Sequence, residues 1–196
     1  FDRRGVGDSE GANGEFRSSG PDIAAAIAAF RDTCPHLSRV VGLGNCDAAS
    51  ALMLAGGAGL DALVLSNPWT FDTNDAPPPP AAVRGHYMRR LRDPGAILRL
   101  LRGKVSPGKL LASLRDALRP APPPSGLAQD MAHGIAAFAG PITFLVAERD
   151  RTGQAFLASW RKGDPRIRQC PDATHSYVEP HARDWLAEQV LEALGD

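Results

Sequence analysis

The stretch Val40-Val41-Gly42-Leu43-Gly44-Asn45-Cys46-Asp47-Ala48-Ala49-Ser50-Ala51-Leu52 runs from a short apolar segment of β texture, closed by Gly44, into an alanine- and leucine-rich segment that reaches Ala55. Periodicity and propensity predict a strand, a tight turn and a helix from Asp47 to Ala55. Cys46 falls on the turn, where a nucleophile can be held on strained backbone. Such a turn needs small residues two before and two after the nucleophile, because neighbouring backbone approaches too closely for bulk, and Gly44 and Ala48 meet that need with Asn45 between. The helix start brings its positive end to the sulfur and is expected to lower the thiol pKa. The backbone N–H of Asp47 is expected to face a developing oxyanion.

Upstream, residues 2–20 are rich in glycine, serine and charge and read as a loop, after which Ser19, Pro21 and Asp22 have the pattern of a helix cap and first turn. Ile23, Ile27 and Phe30 follow at helical spacing, to a break near Pro35. Downstream, Ala62-Leu63-Val64-Leu65-Ser66 is a second short apolar strand closing at Asn67-Pro68. Helix, strand, helix, strand is the order of a parallel sheet with crossover helices, and continuous apolar strands fit one buried on both faces. From Trp69 to Gly140 the texture changes: the proline runs 77–80 and 122–124 bracket Arg- and Leu-rich helical segments. We expect one α/β domain, a mostly parallel sheet with helices on both faces, its core formed by residues 1–69 and 140–196 and a helical cap inserted at 70–139. Strand texture returns at Ile142 to Val146, followed by the charged turn Glu148-Arg149-Asp150 and a helix with Phe156, Leu157 and Trp160. Residues 166–170 suit a polar edge strand and 171–176 a loop, and Trp185, Leu186, Val190 and Leu191 mark a terminal amphipathic helix.

A lone cysteine is by default a small core hydrophobe. Here Asp150 lies just past one later strand and His175 in the loop past another, so that nucleophile, acid and base follow in the chain order of the α/β-hydrolase fold. Asp47 and Asp172 are the other carboxylates near these positions, but Asp47 adjoins the nucleophile and Asp172 lies too close to His175 in sequence to come from a separate strand end. The assignment is therefore Cys46 as nucleophile, His175 as general base and Asp150 as its orienting acid.

Composition narrows the partners. The 196 residues are 43% hydrophobic and carry 22 basic and 22 acidic side chains, so no global charge argues for nucleic acid or an anionic membrane. Three cysteines make no disulfide framework and fit a cytoplasmic location, with Cys34 and Cys170 read as packing residues. His36, His86, His133 and His181 match no metal-ligand spacing, Gly5 and Gly7 are not a dinucleotide fingerprint, and neither metal nor cofactor is assigned. No apolar run approaches the roughly 18 residues of a membrane span. Between Arg84 and Arg119 ten Lys or Arg residues face only Asp93 and Asp116. That basic segment is either a solvated helix face or a surface for an anionic substrate, carrier or lipid.

The chain resembles the α/β-hydrolases called exosortase A system-associated hydrolase 1, found beside bacterial genes for exopolysaccharide production and PEP-CTERM protein sorting. The resemblance rests on Phe1-Asp2-Arg3-Arg4-Gly5-Val6-Gly7-Asp8-Ser9-Glu10-Gly11, on Gly44-Asn45-Cys46-Asp47-Ala48-Ala49-Ser50, on Ser66-Asn67-Pro68-Trp69, on Gly85-His86-Tyr87 and on Glu148-Arg149-Asp150-Arg151-Thr152. It implies a cysteine nucleophile at Cys46. It also implies that the opening loop follows a fourth strand, so that about three strands and the second oxyanion donor lie upstream of Phe1 and the N-terminal strands are missing from this chain. The expected activity is hydrolysis of an ester or thioester on a small or carrier-bound acyl substrate. Acyl transfer stays open, because a thiolate is both nucleophile and leaving group. The rival from another class is a non-catalytic binding or assembly protein on the hydrolase scaffold.

Overall fold

The computed structural model describes residues 1–71 and 125–195. After the opening loop and a 3-10 turn at Phe16–Ser18, the elements are α1 (Gly20–Thr33), β1 (Val41–Asn45), α2 (Asp47–Leu54), β2 (Ala62–Ser66), α3 (Gly126–Gly134), β3 (Ile142–Ala147), α4 (Arg151–Ser159), β4 (Ile167–Cys170) and α5 (Pro180–Leu194). The four strands form one parallel sheet in the order β1-β2-β3-β4. Gly44 lies opposite Leu65, Leu65 opposite Phe144, and Phe144 opposite Ile167, which brings the strands' C-terminal ends to one side of the sheet.

Every residue of β2 is buried, which accounts for its apolar run Ala62 to Leu65 before Ser66. The main core gathers Leu63 and Leu65 of β2, Phe144 and Val146 of β3, Met53 of α2 and Phe156 of α4. A smaller cluster under α5 joins Ala147, Cys170, Ala173, Tyr177 and Ala182. The helix α3 falls within the stretch 70–139 and contributes Leu127 and Met131 to the main core. The basic segment 84–119, with Gly85-His86-Tyr87, lies outside the described residues.

The start of α1 differs in detail from the expected cap. Ser19 is the N-cap but makes no side-chain cap bond. Its hydroxyl turns back to the Glu15 carbonyl at 3.5 Å, because the 3-10 turn immediately before it has set the backbone helical already. Asp22 instead receives the Arg4 guanidinium at 2.6 Å and ties the opening loop to α1.

Candidate active site

β1 delivers Cys46 to the sheet's C-terminal side. Cys46 is the N-cap of α2 with φ 60° and ψ −120°, a left-handed-side conformation that a non-glycine residue holds only under constraint. The constraint is visible. The Cys46 N–H donates to Ser66 O at 2.9 Å, and its carbonyl accepts from Ser50 N at 3.2 Å, from Ser50 Oγ at 3.2 Å and from Trp69 N at 3.3 Å. A Cβ on Gly44 would stand 2.7 Å from the carbonyl carbon of Ala48 and 2.7 Å from Ala49 N, so the turn closes only over glycine. The small-residue pattern around Cys46 thus has its physical cause in the backbone of Ala48 pressed against Gly44.

The thiol pKa departs from the expected direction. Burial pushes it up, and this outweighs the Asp47 backbone hydrogen bond, which draws it down. The carboxylates of Asp47 and Asp150 add to the rise. Removing a nascent thiolate from water costs more here than the helix start returns.

Asp150 follows β3 and caps α4. Its Oδ2 accepts from Gly153 N at 2.9 Å and from His175 Nδ1 at 3.0 Å, with the residue 8% exposed. His175 lies in the loop after β4, its Nε2 3.4 Å from Asn45 Nδ2. An amide N–H facing Nε2 makes that nitrogen an acceptor and leaves the proton on Nδ1, toward Asp150, the tautomer a general base needs. The structure thus brings Asp150 and His175 into direct contact and sets His175 beside the residue preceding Cys46. Among the described residues it records no hydrogen bond from the imidazole to the thiol.

The competing carboxylates are otherwise engaged. Asp47 pairs with Arg3 at 3.2 Å, and Asp172 sits in a turn whose N–H donates to Glu148 Oε2 at 3.1 Å. Cys170 is buried in the α5 cluster and Cys34 ends α1. No group of three or more His, Cys, Asp or Glu side chains able to hold a metal occurs among the described residues.

Residues 1–189 match the alpha/beta hydrolase family. The chain belongs to that family. Among solved structures, an esterase from Pyrococcus furiosus superposes with a TM-score of 0.55 at 14% identity, over 100% of this chain and 68% of that one. A monoacylglycerol lipase from Paleococcus ferrophilus gives 0.52 at 14% identity, over 100% of this chain and 82% of the lipase. At such identities the likeness speaks for the alpha/beta hydrolase fold alone. No curated protein matches the sequence. Among the described residues no helix is long and apolar enough to cross a membrane.

Reading the hydrolase from sequence missed Asn67, Ser66 and Tyr177. Asn67 is fully buried at φ 42° just beyond β2, and its side chain reaches three other segments of the site. The Tyr177 hydroxyl sits 3.0 Å from Ser66 Oγ, and burial pushes its pKa up to about 12, so it stays protonated at ordinary pH. The sequence held two signals for this group: an asparagine placed directly after a strand of apolar residues ending in Ser66, and the Ser66-Asn67-Pro68-Trp69 segment that carries part of the resemblance.

Proposed function

We propose that this alpha/beta hydrolase cleaves an ester or thioester through Cys46, His175 and Asp150. The observation that carries the reading is the strained Cys46 turn at the head of α2, on the same sheet end as an Asp150–His175 pair at 3.0 Å. In the reaction the Cys46 proton passes to Nε2 of His175 while the sulfur adds to the substrate carbonyl carbon, and the carbonyl electrons move onto oxygen beside the Asp47 N–H. Collapse re-forms the carbonyl, breaks the bond to the leaving group and returns the proton to it. Water, deprotonated by the same imidazole, then releases the acid and restores the thiol. Asp150 holds the ring and offsets the charge it gains.

The sequence resemblance supports a role beside bacterial exopolysaccharide and PEP-CTERM sorting systems, with a small or carrier-bound acyl substrate. The basic segment 84–119 supports an anionic one. The test is turnover of an activated ester and of a thioester by intact protein, with mass measurement of an acyl adduct on Cys46. Cys46→Ala and His175→Ala should abolish turnover with the circular dichroism spectrum unchanged, and Asp150→Asn should be less damaging. Full activity in a folded Cys46→Ala variant sinks the proposal. A second reading, a scaffold that binds without turning over, is favoured by the half-buried thiol with its raised pKa and by the Asn45 amide that faces Nε2. An adduct that forms on Cys46 and then discharges argues against it.

A further inference from the structure

We infer that Asn67 is a positioning residue that locks the three strand ends of the site together and, through the main chain of His175 and the side chain of Asn45, sets the imidazole on Asp150. This rests on the reading of Cys46, His175 and Asp150 as the reacting group.

The argument is one of connectivity. Asn67 Oδ1 accepts from Ala147 N at 2.8 Å, at the end of β3 and three residues before Asp150. Asn67 Nδ2 lies 3.3 Å from His175 O and 3.2 Å from Asn45 Oδ1, next in sequence to Cys46. It also stands 3.3 Å from Ser66 Oγ and 3.5 Å from the Tyr177 hydroxyl. One fully buried amide therefore touches the main chain of His175, the residue next to Cys46 and the strand end three residues before Asp150.

The site is also shaped around it. A Cβ on Gly153 would fall 2.7 Å from Asn67 Oδ1, and Gly153 N is the donor that holds Asp150 Oδ2 at 2.9 Å. The absence of a side chain at residue 153 thus admits the amide and lets Asp150 cap α4. The relay continues outward, since Asn45, whose Oδ1 receives Asn67, presents its Nδ2 to His175 Nε2 at 3.4 Å. A buried polar side chain would need only its own partners satisfied; here the partners are the supports of three separate reacting groups. Displacement of a reacting group by about 1 Å can lower a rate about a hundredfold.

The experiment uses intact protein, as in the turnover test above, with p-nitrophenyl acetate as probe and the downfield Nδ1 proton resonance of His175 as a readout independent of turnover. In folded Asn67→Ala the resonance should move or broaden away, and kcat should fall about ten- to a hundredfold while KM changes less than twofold. Asn67→Asp keeps the acceptor for Ala147 N but loses the donor to His175 O. It should therefore show the same disturbed resonance, whereas a purely structural amide predicts a wild-type signal there. If neither variant folds, Asn45→Ala decides the matter, because Asn45 is solvent-exposed. A shifted His175 resonance supports the relay, and an unmoved one overturns it. A disturbed resonance without any wild-type turnover removes the catalytic reading and leaves the positioning intact. Unchanged resonance with turnover preserved does the reverse.

Discussion

At Cys46 two physical demands meet. The backbone is held at φ 60°, a placement costing of order 1–3 kcal/mol, and the thiol is held partly out of water, which pushes its pKa up. For a thiol whose neutral form the fold favours, the thiolate fraction at any pH lies below that of a free cysteine. Alkylation of Cys46 by iodoacetamide is therefore expected to rise with pH through a midpoint above the ordinary cysteine value of about 8.5. Asp47→Asn should lower that midpoint, because one raising charge is removed while the backbone N–H stays. A midpoint in the neutral range would show that the helix start, not burial, governs the sulfur. The turn itself makes a separate demand: Gly44→Ala places a Cβ 2.7 Å from backbone atoms that have no freedom to retreat. It should cost about 1–3 kcal/mol of stability, read as a lower urea midpoint, together with most of the turnover. Position was legible here from residue types alone, since Gly44, Cys46, Ala48, Asp150 and His175 each stand beside a strand end. The thiol's protonation was not, because burial depends on segments brought from elsewhere in the chain, among them Ser66 and Trp69, whose main chains bond that of Cys46. Asn67 was equally hidden: its partners lie 22, 80 and 108 residues away.

Among the elements, the strands were legible because β1, β2 and β3 are apolar runs between breakers, and β4 betrayed itself as an edge by its polarity. The fate of α3 was not. Its sequence stands next to a proline run and among helical segments of similar texture, and only its packing against α2 puts Leu127 and Met131 in the core. The α4–β4 connection carries its own ion pair. Asp164, its side chain 3% exposed, accepts from Arg166 Nη2 at 2.6 Å, Arg166 Nε at 2.9 Å, Arg166 N at 3.0 Å and Trp160 Nε1 at 3.1 Å. The Arg166 guanidinium holds the Asp164 carboxyl well below the usual carboxylate range. A carboxyl whose folded pKa is depressed lends stability that is present above its unfolded value, about 3.9, and is lost as pH falls toward the folded one. The wild-type Tm is thus expected to drop between about pH 4 and pH 2. Asp164→Asn should lower the Tm at pH 7, since the contacts of the buried carboxyl with the guanidinium are weakened, and should flatten the decline in acid. Parallel pH profiles for the two proteins would assign the acid sensitivity to other carboxyls.

At the scale of the whole molecule the sheet's two edges are treated differently. On β4, Arg168 reaches Gln189 at 2.6 Å and Glu192 at 2.7 Å, so α5 is strapped beside that strand by charge. On the other side, β1 pairs only with β2 among the described residues, and Leu43 in its middle is 53% exposed. Beside it Val178 is 65% and Leu191 49% exposed, and these three with Tyr177, Leu186 and Val190 line an open groove of about 560 Å³. Unpaired N–H and C=O groups on an apolar edge are a template for another strand, and the chain places no lysine or proline within Val41–Asn45 to oppose this. A formal net charge of zero adds no long-range repulsion between copies. We therefore expect the 196-residue chain, produced by itself, to self-associate in a concentration-dependent way, seen as a rising mass in light scattering. Salt separates the causes. Association through charge would weaken as the Debye length falls from about 10 Å at 0.1 M to about 3 Å at 1 M, whereas association through Leu43 and the groove should hold or strengthen. Leu43→Lys puts a charge on the edge without touching Gly42 or Gly44, where the backbone is tightly packed, and should shift the population toward monomer with the melting transition preserved. A wild-type chain that stays monomeric and melts cooperatively at every concentration would mean that this edge is already protected in solution.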